Sequence, residues 1–347
     1  RLQTAESFNL LKKLMVQDPP IFDDPYEYRR IFIQFSDTLP LAKTLFPEIL
    51  QLASLEDYKP LVNSLLKALL DSGYLKAEDY ESYFSKLYFD AKVELKKQQN
   101  KDEKLLDGED DHSLDLEDDE HDYKAVFTKN RSKSTASSLE DYAVLLMPFY
   151  DKLPSVPKYF QKLLQSKEVN VQLIAARLLT EKSKPVPDSL YFSIAAHDKY
   201  RVKLYTVLKK IKRPDLFPAR YRSQEMIAKA LLLSNKKYTE FAAIQLVEKR
   251  LLQLKGVKGY AYLFKYKIQP DDDWKIAVSG LQPLNAKEVS TTADLVQLTD
   301  KKLKPYEDVA SQFNEQIKRM LFSQHKSARR FFERNNSWGF SDGSLEY

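Results

Sequence analysis

Glycine supplies only 7 of the 347 residues, where roughly 7% is the usual share. Positive φ, and the close passage of backbone past a phosphate, both lean on glycine. A chain so poor in it has little material for tight hairpins or for a Gly-rich nucleotide loop. Helices need neither. The scarcity therefore points to a mainly α-helical fold, with the 16 prolines as punctuation. Five of the seven glycines fall between positions 256 and 343, and β-structure is expected only there.

Apolar spacing locates the helices. A short one runs through Phe8, Leu11 and Leu14 and stops at Asp18-Pro19-Pro20. Others are expected near 26–36, 40–53, 55–72 and 77–98, then near 158–166, 169–181, 187–196, 199–212, 223–233 and 237–254. The pentapeptide SLEDY occurs twice, at Ser54–Tyr58 and Ser138–Tyr142. Tyr58, Leu61, Val62, Leu65, Leu66 and Leu69 follow the first copy, and Tyr142, Leu145, Leu146, Phe149, Tyr150 and Leu153 the second. Both sets keep the spacing of an amphipathic helix. Ser54 and Ser138 stand where an N-cap belongs, with acids in the first turn. SLEDY is thus expected to be a helix start used twice. Pro148 should end or kink the second helix early.

Charge is unevenly spread. The net value is +5, but residues 101–123 hold twelve acids against Lys101 and Lys104, a net −10. Residues 199–267 hold 18 Lys and Arg against four acids, a net +14. The expected organisation is an N-terminal helical block over 1–98 and an acidic and polar linker over 99–137, which reads as disordered. A second helical block over 138–255 follows, then a β-hairpin and loop over 256–292, a C-terminal helix over 293–335 and a tail over 336–347. The hairpin is read from Gly259–Ile268 and Trp274–Gly280, joined by the turn Pro270-Asp271-Asp272-Asp273.

Lys167–Leu179 resembles the second helix of a HEAT repeat, with a short polar turn, a Val, an Ala pair and a Leu. Asp198–Leu208 is a weaker match through an Asp before an Arg-Val step. The resemblance is best over about residues 158–212. It implies antiparallel helix pairs in an α-solenoid whose concave face binds other macromolecules. The expected fold class is therefore mainly α: antiparallel helix pairs, HEAT-like or an irregular helical array, with one small β-hairpin near the C-terminus.

Catalytic motifs are not found. The chain has no cysteine, which removes thiolate nucleophiles, thiolate metal sites and disulfides. His112 and His121 lie in the acidic tract, His325 on the expected C-terminal helix, and His197-Asp198 between two helices. The triplet Asp271-Asp272-Asp273 reads as a solvated turn. Catalytic residues, cofactors and metal ligands are each expected to be none. The candidate binding residues are Lys209, Lys210, Lys212, Arg213, Arg220 and Arg222, with Tyr205, Phe217 and Tyr221 interleaved. Basic side chains near aromatics suit an anionic partner, and the acidic tract is an internal candidate for masking them.

These readings favour a non-enzymatic protein-interaction or scaffold module, part of a longer chain because it begins with Arg1. The alternative is nucleic-acid or polyanion binding through the basic 199–267 surface. Protein partners are expected first, nucleic acid second. No apolar run reaches the ~18 residues of a membrane span. The compartment stays open, and an extracytoplasmic one follows if a targeting segment preceded Arg1.

Overall fold

Two identical pentapeptides differ in structure at their first residue. The computed structural model describes residues 4–15, 38–55, 58–106, 138–234, 241–254, 256–270, 272–292, 295–304 and 306–318. In it Ser138 caps a helix over Leu139–Leu146. Its Oγ accepts from the Asp141 N–H at 3.2 Å, and Asp141 Oδ2 accepts from the Ser138 N–H at 3.1 Å. This is a capping box with Asp in the third position. Ser54 instead closes a 3₁₀ turn, donating its Oγ–H to the Gln51 carbonyl at 2.8 Å. The helix after it starts only at Lys59.

Pro60 explains the difference. In a helix begun at Leu55 it would be the sixth residue. There its missing N–H and its ring cost about 3 kcal/mol or more. In a helix begun at Lys59 it lies in the first turn, where neither matters. The apolar stripes survive in both places: Val62, Leu65, Leu66 and Leu69, like Leu145, Leu146 and Phe149, are at most 2% exposed. Pro148 does end the second α-helix, which passes into a 3₁₀ turn over Met147–Phe149.

The chain divides into two compact units, Arg1–Val186 and Pro187–Tyr347. In the first, the described residues are helical. The helices are α1 (Ala5–Met15), α2 (Leu39–Thr44), α3 (Phe46–Gln51), α4 (Lys59–Asp71), α5 (Phe84–Leu106), α6 (Leu139–Leu146), α7 (Ser155–Leu164) and α8 (Val169–Glu181). Helix α6 is the hub and packs on α4, α5 and α8. Aromatic rings fill the centre. Phe149 meets Tyr80 edge-on at 5.0 Å and Phe84 at 4.9 Å. The buried Tyr80 hydroxyl donates to the Leu145 carbonyl at 2.9 Å, so its polar tip is satisfied inside the core.

Helix α5 runs eight residues beyond its expected end at 98. Residues 99–106 have lost the apolar stripe but contain no Gly or Pro and are rich in Lys, Glu and Gln, which are good helix formers. The remainder of the expected linker, 107–137, lies outside the described residues. So do the expected helix at 26–36, residues 319–335 of the expected C-terminal helix, and the tail.

The second unit overturns the expected fold class. It opens with α9 (Asp188–Ala196), α10 (Asp198–Lys210) and α11 (Gln224–Leu233). Its described strands then form an antiparallel meander of four in the order β1-β2-β3-β4: β1 (Ala243–Leu254), β2 (Val257–Lys267), β3 (Lys275–Gln282) and β4 (Leu295–Lys302). The expected hairpin is the β2–β3 pair, the middle of a larger sheet. The C-terminal helix expected over 293–335 is a strand, β4, at its start, and helix α12 is described over residues 309–318. The molecule is therefore not mainly α with a small hairpin. It joins a helical unit to one of mixed α and β structure.

The sheet is covered on both faces. Tyr262, Phe264 and Tyr266 of β2 point to one side, against Ala228 and Leu232 of α11. Ala261 and Leu263 point to the other, against Phe313 and Ile317 of α12. Strand β1 was expected to be the end of a helix over 237–254. Two features hid it. A bulge between Leu246 and Glu248 breaks the alternation of period two, and Phe241, Ile244, Val247 and Leu251 also satisfy a spacing of three and four. Pairing with the aromatic β2 then decides the outcome, as sheet context commonly does.

Glycine is spent where the sheet requires it. Gly256, at φ +82°, makes the two-residue turn between β1 and β2. At Gly259 a Cβ would sit 2.6 Å from the Gln282 carbonyl oxygen. Behind the sheet, the buried Gln224 side-chain amide donates to the carbonyls of Pro283, Asn285 and Glu288 at 2.8–3.0 Å and accepts from the Tyr262 hydroxyl at 3.1 Å. It pins the β3–β4 loop against the start of α11. Burial pushes the Tyr262 phenol up to about 12.

Candidate functional site

Helix α10 ends in two exposed lysines, Lys209 and Lys210. The backbone then turns through Lys212 at φ +61°, and the Arg213 N–H reaches back to the Leu208 carbonyl at 2.8 Å. This is the six-to-one bond of a Schellman ending, with lysine in the place that favours glycine. Gly73 and Ser183 end α4 and α8 in the same way: the Tyr74 N–H reaches Leu69 at 2.9 Å and the Lys184 N–H reaches Leu179 at 2.8 Å.

All six expected cations lie on exposed residues of this stretch. Arg213 is already engaged. Its fork meets Asp215 at 3.0–3.2 Å and holds that carboxyl below the usual range. Arg220 lies over the Tyr221 ring at 4.5 Å and donates to its hydroxyl at 2.6 Å. Among the described residues Lys209, Lys210, Lys212, Arg220 and Arg222 form no salt bridge.

The interleaved aromatics serve the interior. Tyr205 and Phe217 meet edge-on at 5.0 Å, and they and Tyr221 are each at most 9% exposed. They cannot stack on nucleic-acid bases without unfolding the site. Arg201, 2% exposed, sits beneath them. It donates to the carbonyls of Ala195, Ala196 and Met226 and pairs with Asp198, which also holds Lys229 at 2.9 Å. The Asp198 carboxylate is thus occupied by two cations, and His197 beside it is exposed. Of the other histidines, His112, His121 and His325 lie outside the described residues. The acidic turn is tied down, with Asp273 on Lys302 at 2.6 Å.

The helical unit has an open cleft of about 500 Å³ lined by α4, α6, α8 and the turn before α5. Of its lining charges, Arg177 pairs with Glu140 at 2.7 Å and Glu181 at 3.6 Å and Lys152 with Glu78, while Lys67 reaches Asp141 beside the cleft at 2.9 Å. Burial raises the Asp141 carboxyl, but Lys67 and Ser138 outweigh it and hold the group below its usual range. The pairs made by Glu140 and Asp141 link neighbouring helices at the cleft.

Strand β1 carries a surface that the helical reading concealed. It is the outer strand of its sheet, and among the described residues no strand pairs with its outer edge. Leu246, Val247 and Leu251 are 38%, 38% and 55% exposed. Lys249 lies 3.8 Å over the Tyr260 ring. On the opposite face Arg250 grips Glu248 with two bonds of 2.7 Å. A long, apolar, open edge is an invitation to strand addition. A signal was present: QLVEKRLLQ, residues 245–253, repeats its residue classes in both directions about Lys249.

No family model matches the sequence, and neither a curated protein nor a solved structure matches it. Among the described residues no helix is long and apolar enough to cross a membrane.

Proposed function

We propose that the chain is a non-enzymatic protein-interaction module, and that β1 is its docking element. One observation carries the reading: a twelve-residue outer strand with three exposed apolar side chains and an unpaired edge among the described residues. An added strand would satisfy those backbone groups, and its side chains would cover the leucines. The resemblance of Lys167–Leu179 to a HEAT helix belongs to the same proposal, since helix pairs of that family serve docking.

Photo-leucine placed at position 251 of the full chain tests it, with a photo-reactive side chain at position 210 as comparison. Protein cross-links from 251 that disappear with Leu246→Lys support the reading. Silence at 251 contradicts it.

The second reading is polyanion binding. The five exposed cations without a salt bridge favour it. Each phosphate they neutralise would contribute a slope of about −0.9 to log K against log salt. Retention on heparin and DNA columns, compared with Lys210→Glu plus Arg222→Glu and with a chain lacking residues 101–123, measures it. Equal retention of all three removes this reading.

A further inference from the structure

We infer that the partner for β1 is a second copy of this chain, joined antiparallel across a two-fold axis at Lys249. This rests on β1 being the docking edge. The register with β2 says which side chains share a face. Leu246 lies beside Phe264, and Lys249 and Leu251 lie beside Tyr262 and Tyr260. All three therefore face the α11 side. Glu248 and Arg250 lie beside Leu263 and Ala261 and face the α12 side. The bulge at Val247 is what places Leu246 and Lys249, three positions apart, on one face.

A second β1 laid antiparallel and centred on Lys249 places the two lysines opposite each other and meets this pattern on either side of them. Glu248 stands opposite the second copy's Arg250, and Arg250 opposite its Glu248. Beyond them Leu251 stands opposite the second copy's Leu246, with Val247 as the bulged residue. Opposite charges and apolar pairs are the contacts that stabilise cross-strand neighbours. A centre at Glu248 or Arg250 would face two glutamates or two arginines and lose both Glu248–Arg250 pairs, whereas the centre at Lys249 keeps those pairs and faces two lysines that are each folded back over the Tyr260 ring of their own copy.

Charged residues and bulges on an outer strand ordinarily discourage pairing. Here the central lysine does not guard the edge. Its ammonium is folded back over Tyr260 at 3.8 Å, and the neighbouring Glu248 and Arg250 neutralise each other. The charge left uncompensated on this stretch of the edge is that of Lys249. Its two most central leucines are exposed on the face where the copies would meet. The result is one continuous eight-stranded sheet made from two four-stranded halves, an isologous contact that closes on itself.

Charge reversal tests this in the full chain, by sedimentation over a dilution series. The unaltered chain is expected to dimerise. Glu248→Arg and Arg250→Glu, each alone, put like charges opposite at both symmetric positions and weaken self-association at least about tenfold. An equimolar mixture of the two variants restores every opposite-charge pair, and a heterodimer is expected to form. That recovery also shows that both variants are folded. A monomer at every concentration, or a dimer indifferent to both reversals, overturns the second-copy assignment. In that case cross-links from position 251 to a different protein leave the docking reading standing, and their absence ends both.

Discussion

Strands β1 and β2 form one hairpin, share a two-residue turn and have nearly equal lengths, yet they stand in opposite environments. Strand β2 is interior, with helices against both faces, and from Ala261 to Phe264 it is buried without a break. Among the described residues strand β1 has a neighbouring strand on one edge only, and it exposes Leu246, Val247 and Leu251. The difference shows that one sheet can divide its work. Aromatics in the inner strand hold the unit together, while leucines in the outer strand are left for something else to cover.

The contrast can be broken from the inside first. Phe264→Ala removes a ring that is 1% exposed and should cost about 3–5 kcal/mol in denaturant unfolding. Leu251→Ala should cost about 0.5 kcal/mol or less. Equal costs would mean that β1 is covered. Gln224→Leu leaves three loop carbonyls and the Tyr262 hydroxyl without their partner. It should cost about 3 kcal/mol and free the loop at 283–290 to proteolysis. Gly256→Ala forces a side chain into positive φ at the turn and should cost about 1 kcal/mol in thermal unfolding. Lys212→Gly is the converse, a left-handed position that lacks its glycine, and should gain about 0.5–1 kcal/mol. The smallest effect on stability belongs to Leu251→Lys, within about 0.5 kcal/mol, although it should abolish cross-linking between copies.

Much of the helical architecture was legible because its signals are local. Val169–Glu181 matches to the residue, and Ser223 caps α11 as its place before an apolar run suggests, accepting from the Met226 N–H at 3.2 Å. The second SLEDY is a helix start as expected. After the first, the helix is described only from Lys59, with Pro60 in its first turn, and Glu56 and Asp57 lie outside the described residues. The inner strands were legible from aromatics and a Pro/Asp turn. Strand β1 was not, because a bulge interrupts its alternation and its partner is what makes it a strand. Within the candidate site the exposure of the cations followed from their position at a helix end. The burial of Tyr205, Phe217 and Tyr221 did not, since spacing alone cannot say which way a ring turns at a break between helices.

The most direct test is residue-resolved amide hydrogen exchange across 243–267 in dilute solution. An outer strand with an open edge predicts alternation along β1, with inward amides slow and outward amides near loop rates, beside a uniformly protected β2. At a dilution where sedimentation shows the chain to be monomeric, unbroken protection along β1, equal to that of β2, would show its edge covered from within the chain or its structure helical, and would contradict the account.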